Sequence, residues 1–333
     1  MADENPEKKD TTIPIADLAN LRGDLPPEVV HEGVLFPWHV SERAVKALKD
    51  YDVRDDDIWV TTYPKAGTHW TAEIVNLVLA DGHEEKIDRT KQPMPIELDH
   101  VQPGTKIPEH LPSHMRIPQY ERCKSFSSPR VLMTHLPEHM MPKQIYEGKG
   151  KVIYVLRNPK DSAVSFWHFV RPGKFNPKHE LWDTFFEEFC TDETIWGGYF
   201  KYNLQFWKKH RHDKSFLFLK YEDMQRDLRG AVVQIADFVG RPLSVEAIER
   251  VVNKSTLDSM KERFHTVDQK SGKNKIGVPS TIRKGLVGDW KTRFTVAQNE
   301  TFDKLYQEKM EGSDLHMDFE IKRYYSTATI MTS

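Results

Sequence analysis

The chain has 333 residues, of which 38% are hydrophobic and 29% charged, a composition typical of one large or two small globular domains. Its formal net charge of −2 argues against binding to nucleic acid by bulk charge, and two cysteines are too few for a disulfide framework. The N-terminus is polar and charged, and no stretch reaches the roughly 20 apolar residues of a spanning helix. We therefore expect a cytoplasmic protein with diffusible substrates and with neither nucleic acid nor membrane as a partner.

The predicted elements alternate between strands and helices. Residues 1–30 form a charged segment that we expect to be flexible, followed by one domain over residues 31–325. Short runs rich in Val, Ile and Phe predict buried parallel strands at Ile58–Thr62, Val131–Thr134, Val152–Leu156 and Phe216–Leu219. Apolar stripes at helical spacing predict helices at Thr68–Leu79, Ala231–Val239 and Val245–Val252. The alternation indicates an α/β domain whose central parallel sheet is flanked by helices.

Two regions have no regular pattern. Residues 91–118 are rich in proline, and residues 266–282 are rich in Gly, Lys and Ser. Long loops inside a compact domain are usually functional or disordered. We expect both regions to border a substrate site.

The strongest motif runs from Thr61 to Trp70, between a predicted strand and a predicted helix. A helix N-terminus binds anions, Gly67 lets the backbone approach closely, and Lys65 adds a positive charge. Thr68 is expected to cap the helix and to bond the anion. In the ATP-binding P-loop, Gly-Lys is followed by a Ser or Thr whose hydroxyl binds magnesium, whereas here the lysine comes before the glycine. An ordinary turn between strand and helix is the alternative.

Three ordered segments together resemble the cytosolic sulfotransferase family. The Lys65 loop is similar to the family's 5′-phosphosulfate loop, Tyr154–Asp161 with Ser165 to its 3′-phosphate segment, and Arg283–Lys291 to its C-terminal phosphate loop. The resemblance extends over residues 35–320. It implies a P-loop-like phosphosulfate-binding loop and transfer of a sulfuryl group to a small hydroxylated acceptor. The implied donor is 3′-phosphoadenosine-5′-phosphosulfate (PAPS), the product is 3′-phosphoadenosine-5′-phosphate (PAP), and no metal is required.

The same resemblance implies which residues contact the donor. Arginine suits the phosphates because its fork bonds two oxygens at once, and two aromatic rings are expected near the adenine. Leu257 departs from the aromatic residue that the family commonly has, so it keeps apolar contact and loses ring stacking. The implied donor site consists of Lys65, Ala66, Gly67, Thr68, His69, Trp70, Arg157, Ser165, Tyr221, Ser255, Leu257, Met260, Arg283, Lys284 and Gly285.

The segment from Val131 to Pro137 resembles the family's catalytic segment, with His135 as general base. An imidazole can accept the proton of an attacking hydroxyl, and Lys65 would stabilise the departing phosphate oxygen. From the residues alone, a histidine at a strand end is more often structural. Met133 departs from the family's usual lysine. Lys65 alone suffices, another cation substitutes, or the enzyme is weak; the sequence does not choose among these.

The resemblance also places two side chains, Phe166 and Phe169, along the acceptor cavity, which would favour phenols, steroids or other flat alcohols. By composition alone such a cluster is more often core. A possible homodimer is indicated by the family's dimer spacing, and an ordinary solvated helix start is its alternative; the residues are Lys291, Thr295, Val296 and Glu300.

Two other functions stay open at this point: a small-molecule kinase with a P-loop-like site, and a non-catalytic PAP- or PAPS-binding protein. The kinase would need ATP and magnesium, and Met133 favours the binder. The run from His135 to His139 matches a zinc-protease pattern that requires a helix. Pro137 would break that helix, so we predict no metal site.

Overall fold

The computed structural model describes residues 28–89, 94–100, 116–171, 177–263 and 283–321, and every structural statement below refers to these ranges. Residues 1–27 of the predicted flexible segment lie outside them, as do residues 91–93, 101–115 and 266–282 of the two irregular regions. The part of the first irregular region from 94 to 100 lies beside a strand, because Pro95 bridges Met133 in parallel and Leu98 bridges Val40.

The centre of the fold is a four-stranded parallel sheet in the order β4-β3-β5-β6. Its members are β3 (Ile58–Thr62), β4 (Val131–Thr134), β5 (Lys151–Leu156) and β6 (Phe216–Lys220), which confirms the four predicted strands. Ile58 pairs with Val131 on one side and with Lys151 on the other. The strands are apolar along most of their length because helices cover both faces of the sheet. A short antiparallel hairpin precedes it, formed by β1 (Val29–His31) and β2 (Val34–Phe36).

Successive strand residues point to opposite faces and build two apolar clusters. Trp59 and Tyr154 belong to the larger cluster, and Val60 and Ile153 to the smaller one. The α-helices are α1 (Glu42–Lys49), α2 (Thr68–Leu79), α3 (Gln119–Lys124), α4 (Lys143–Tyr146), α5 (Pro159–Val170), α6 (Trp182–Cys190), α7 (Tyr199–His210), α8 (Tyr221–Arg226), α9 (Leu228–Val239), α10 (Val245–Ser255) and α11 (Val296–Met310).

The three predicted helices are confirmed, with two boundaries that differ: α9 starts earlier than predicted, and α10 ends at Ser255 and not at Val252. Helix α9 begins at Leu228, three residues before the predicted start, because the Asp227 carboxylate caps it by accepting the N–H of Gly230. Helix α5 is capped in the same way by Asn158, with Pro159 at its first position. These caps fix where each helix leaves the sheet.

Candidate active site

The predicted site residues lie at one edge of the sheet. Lys65, His135, Arg157 and Tyr221 follow the carboxyl ends of β3, β4, β5 and β6, respectively. In open parallel sheets this edge is where ligands bind, because the loops that leave the strands converge there. The fold therefore brings together residues that are up to 156 positions apart in the numbering.

The Lys65 loop turns sharply before α2. Both Lys65, at φ 69°, and Gly67, at φ 112°, have left-handed backbone, and Gly67 occupies the position before the helix. A Cβ atom at Gly67 would lie 3.0 Å from the Tyr221 ring, so a side chain there would be crowded as well as strained. The expectation that Thr68 caps the helix is wrong. Thr68 is its first residue, and its hydroxyl lies 2.6 Å from the hydroxyl of Thr62.

One buried guanidinium joins the predicted anion-binding segments. Arg157 donates to the carbonyl of Lys65 at 2.9 Å and to the carbonyl of Leu286 at 3.2 Å. Its Cζ lies 4.4 Å from the centre of the Tyr221 ring, a cation–π contact. Its Nε is buried and makes no hydrogen bond within the described chain. The Lys65 loop and the C-terminal loop therefore meet at Arg157 and face the same place.

A buried carboxylate holds the C-terminal loop against α5. Asp161 accepts the N–H of Gly288 at 2.8 Å and that of Trp290 at 2.9 Å. Asn158 donates to the same carboxylate at 2.8 Å. Since Asp161 and Ser165 are one helical turn apart, this anchor places the C-terminal loop beside the helix face that carries Ser165.

The cations of the C-terminal loop share one acidic partner. Lys284 donates to Asp289 at 3.0 Å, and Arg283 bonds the other oxygen of the same carboxylate. Burial raises the pKa of Asp289, but the bonds from Arg283 and Lys284 outweigh it and the net pKa is lowered. The Nε of Arg283 is buried and makes no hydrogen bond to a described residue. Gly285, at φ 67°, packs so closely on Leu257 that a Cβ atom would lie 2.8 Å from it.

The residues expected near the adenine also come together. Trp70 and Tyr221 meet edge to face with ring centres 5.2 Å apart, and the Trp70 indole donates to the carbonyl of Ser255 at 2.8 Å. The Ser255 hydroxyl donates in turn to Val251, within α10. Met260 is buried in the helical residues 257–263 that follow.

His135 is held in the tautomer that a base requires. Its Nδ1 lies 2.9 Å from the carbonyl oxygen of Thr62, which can only accept, so Nδ1 carries the proton and Nε2 keeps its lone pair. Burial lowers the pKa of His135 to about 4; the bond to Thr62 opposes this and the Lys65 cation adds to it. The imidazole is therefore neutral at physiological pH.

Lys65 has a second imidazole and an aromatic ring as neighbours. Burial, with smaller contributions from Lys65 and His135, lowers the pKa of His69 to about 3. The Nζ of Lys65 lies 4.7 Å from the centre of the Phe169 ring. A cation, two neutral imidazoles and an aromatic face thus lie around one point at the sheet edge.

A model of the family described as "Sulfotransferase domain" matches residues 55–314. The chain belongs to the cytosolic sulfotransferase family. It is therefore a PAPS-dependent sulfotransferase, as the resemblance of the three segments implies. The matched range includes the Lys65 loop, His135, Arg157 and the loop of Arg283.

Curated relatives cover most of the chain. Sulfotransferase 1A1 of the dog is 36% identical over 296 residues, which are 87% of this chain and 95% of the relative. Human sulfotransferase 1C2 is 35% identical over 280 residues, covering 82% and 90%. Among solved structures, mouse sulfotransferase SULT7A1 complexed with PAP is 31% identical with a TM-score of 0.70, covering 86% and 95%. Retinol dehydratase in complex with androsterone and inactive cofactor PAP is 26% identical with a TM-score of 0.72, covering 87% and 92%.

Aromatic residues surround His135 in this sulfotransferase. The Trp196 ring lies edge to face with His135 at 5.7 Å, and it also contacts the Phe166 ring at 6.2 Å. Phe166 is fully buried and packs edge to face on Tyr63 and Phe185, so it is part of the core. Phe169 is only partly buried, beside Lys65. Of the two predicted acceptor residues, Phe169 is therefore the one that a ligand can contact, and Phe166 lies in the core.

Met133 points away from this group. It is fully buried among the apolar residues of the smaller cluster, with Val60 of β3 and Ile74 of α2. A lysine at this position would have to extend out of that cluster to reach the sheet edge. Strand β4 therefore contributes no cation, and the positive charge that lowers the pKa of His135 is that of Lys65.

Sequence analysis missed three residues of this site. Glu97 is buried and bonds the backbone N–H of His135 at 2.9 Å, Trp196 contacts the His135 ring, and Asp289 pairs with two predicted phosphate ligands. Trp196 has left-handed backbone, at φ 65°, which is a strained conformation for a bulky residue. Only Asp289 carried a signal, since it lies within the segment that resembles the C-terminal phosphate loop.

The segment that matches the zinc-protease pattern is a short turn with an ion pair, and the segment predicted for the dimer is the capped start of a helix. Residues Glu138–Met140 form one 3₁₀ turn, and Glu138 bonds Lys209 at 2.6 Å. Thr295 caps α11 in a capping box with Gln298, while Val296 is 77% exposed.

Within the described ranges, no helix combines the length and the hydropathy needed to cross a membrane.

Proposed function

We propose that the chain transfers the sulfuryl group of PAPS to the hydroxyl of a small acceptor, such as a phenol, a steroid or another alcohol, with His135 as general base. The observation that carries this proposal is the tautomer of His135. Its Nδ1 donates to Thr62, so Nε2 is available as acceptor beside Lys65. We propose the cytoplasm as the place of action.

Buried hydrogen-bond donors and two glycines support the proposed binding of PAPS. The Nε atoms of Arg157 and Arg283 are buried without hydrogen-bond partners among the described residues, and such atoms suit an anion. A Cβ atom would lie 3.0 Å from Tyr221 at Gly67 and 2.8 Å from Leu257 at Gly285, and both positions have left-handed backbone, so both favour glycine. We assign the 5′ end of the nucleotide to residues 65–70 and the adenine to Trp70 and Tyr221, supported by Ser255, Leu257 and Met260. The 3′-phosphate is assigned to Arg157, Ser165, Arg283, Lys284 and the Gly285 N–H.

The asymmetry of the two ends supports this orientation. The Lys65 cation acts on His135, and a base must act where the sulfuryl group is transferred. The acceptor oxygen bonds to sulfur as the bond from sulfur to the phosphate oxygen breaks. His135 takes the hydroxyl proton on Nε2, and Lys65 stabilises the negative charge of the departing phosphate.

The acceptor is proposed to lie against Phe169, with Phe166 behind it. Partly buried aromatic rings favour a flat apolar body, and the imidazole supplies the polar contact for its hydroxyl. The similar retinol dehydratase structure contains androsterone, which is such a molecule. The sequence belongs to the sulfotransferase family, which argues against a small-molecule kinase.

Labelled PAPS with a panel of phenols and sterols tests the proposal. Transfer of label to at least one hydroxyl acceptor in the presence of EDTA is expected, because we assign no metal to the site. Transfer that requires ATP and magnesium would support the kinase, and tight PAP binding without turnover would support the binder.

We also propose a homodimer through Lys291, Thr295, Val296 and Glu300. The exposed Val296 supports it, since an apolar side chain in water gains from being covered. Sedimentation should show a concentration-dependent dimer that Val296→Glu abolishes. An unchanged monomer at high micromolar concentration would contradict the dimer.

A further inference from the structure

A buried carboxyl group lies directly behind the proposed base. The Glu97 side chain is fully buried. One of its oxygens accepts the backbone N–H of His135 at 2.9 Å, and the other accepts the hydroxyl of Thr134 at 2.9 Å. The Thr134 hydroxyl in turn accepts the N–H of Leu136 at 3.0 Å. Three consecutive residues, with His135 in the middle, are therefore fixed through one carboxyl group.

The ring of His135 is fixed independently of its backbone. Its Nδ1 donates to the carbonyl of Thr62. The hydroxyl of Tyr202 contacts that same carbonyl at 3.0 Å and the carbonyl of Leu136 at 3.1 Å. The orientation of the His135 peptide sets the direction of its Cα–Cβ bond. The ring can therefore bond Thr62 only when the peptide has a matching orientation. Glu97 controls the backbone half of this arrangement.

The chemistry of Glu97 favours a role beyond packing. Burial raises the pKa of Glu97 to about 7, so the folded protein holds this carboxyl group in an unfavourable environment. Replacing a buried charged group by an apolar residue of similar size often leaves a protein equally stable, so stability alone does not explain a buried carboxyl group. Two of its bonds go to Thr134 and His135, at the end of β4.

We propose that Glu97 is a positioning residue for His135: it fixes the peptide from Thr134 to Leu136, so that the imidazole can bond Thr62 and meet the acceptor hydroxyl at once. This inference rests on the proposed role of His135 as base. Glu97 itself exchanges no proton with the substrate.

The test combines two substitutions of Glu97 with His135→Ala. Glu97→Leu removes both acceptors and should lower kcat about ten- to a hundredfold, because small misplacements of a catalytic group are costly. KM and the Kd for PAP should change less than about threefold, since the donor contacts are elsewhere. Glu97→Gln keeps an oxygen for the His135 N–H and should restore kcat to within about threefold of wild type.

A double-mutant cycle separates positioning from general destabilisation. If Glu97 acts through His135, then Glu97→Leu adds no further loss of kcat in the His135→Ala background. An equal loss in both backgrounds, or an unchanged kcat in Glu97→Leu, overturns the inference. Should Glu97→Leu fail to fold, Thr134→Val takes its place in the cycle, and an unchanged kcat there overturns the inference as well. Full activity of His135→Ala alone is a different result, which overturns the proposed base.

Discussion

Contiguous motifs build the donor side of the site, whereas the surroundings of His135 come from residues that are far apart in the sequence. Lys65, Gly67 and Trp70 belong to one loop and helix, and Arg283, Lys284 and Gly285 are consecutive, so most of the donor residues lie in short runs of the sequence. Glu97 and Trp196 reach His135 from positions 38 and 61 residues away. The nucleotide site can thus be predicted from sequence motifs, whereas the residues around the acceptor can be identified only from the three-dimensional structure.

The largest expected effect is on the acceptor side. His135→Ala should lower kcat about 10²- to 10⁴-fold, because the attacking hydroxyl loses its base, while the Kd for PAP stays within a few-fold. His139→Ala is the matched control, since His139 is an exposed histidine four residues further along. The measurements are steady-state kinetics with labelled PAPS and PAP titration. A kcat of His135→Ala within a few-fold of wild type removes His135 from the mechanism.

On the donor side, Arg157→Ala should weaken PAP binding about ten- to a hundredfold. A charge-assisted hydrogen bond contributes about 1.5–3 kcal/mol. The substitution also removes the hydrogen bonds from Arg157 to the carbonyls of Lys65 and Leu286, which link the two loops. Calorimetry with PAP measures the effect. Arg241→Ala, which removes an exposed ion pair with Asp81, controls for a loss of positive charge. Equal affinities in the two variants would place the nucleotide away from Arg157.

A smaller donor-side effect should follow from Gly285→Ala, with PAP affinity reduced about three- to tenfold. The new Cβ atom would lie 2.8 Å from Leu257, and left-handed backbone costs an alanine about 1–2 kcal/mol. Leu257→Ala should remove the steric part of the loss, so the double variant should bind PAP better than Gly285→Ala. No recovery in the double variant would show that backbone strain alone decides the affinity.

The smallest effect is expected from pH. Because the pKa of His135 is lowered to about 4, the base stays neutral and kcat/KM should change little between pH 8 and pH 5.5. An ordinary histidine with a pKa near 6.5 would lose about tenfold at pH 5.5. By linkage, His135 contributes stability above pH 6.5 that is lost as pH falls toward 4. A tenfold acid loss centred near pH 6.5 would contradict the buried, neutral imidazole.

The sequence predicted the sheet, the helices and the donor residues because each has a local signal. Parallel strands are apolar throughout, and an anion site at a helix start has a glycine and a cation at fixed spacing. The wrong detail, the cap at Thr68, arose because left-handed Gly67 already occupies that position. Glu97 lies in a proline-rich run with no periodic pattern, and the pairing of that run with β4 and with Val40 places it behind His135.

The most direct test of the account compares PAP with adenosine 5′-phosphate, which lacks the 3′-phosphate, in the wild type and in Arg283→Ala. If the Lys65 loop and the group of Arg157, Arg283 and Lys284 bind the two ends of one nucleotide, the wild type should prefer PAP at least about tenfold, since a charge-assisted contact is worth about that factor. Arg283→Ala should lose most of this preference and keep its affinity for adenosine 5′-phosphate. Equal binding of the two nucleotides by the wild type would contradict the assignment of Arg157, Arg283 and Lys284 to a single 3′-phosphate.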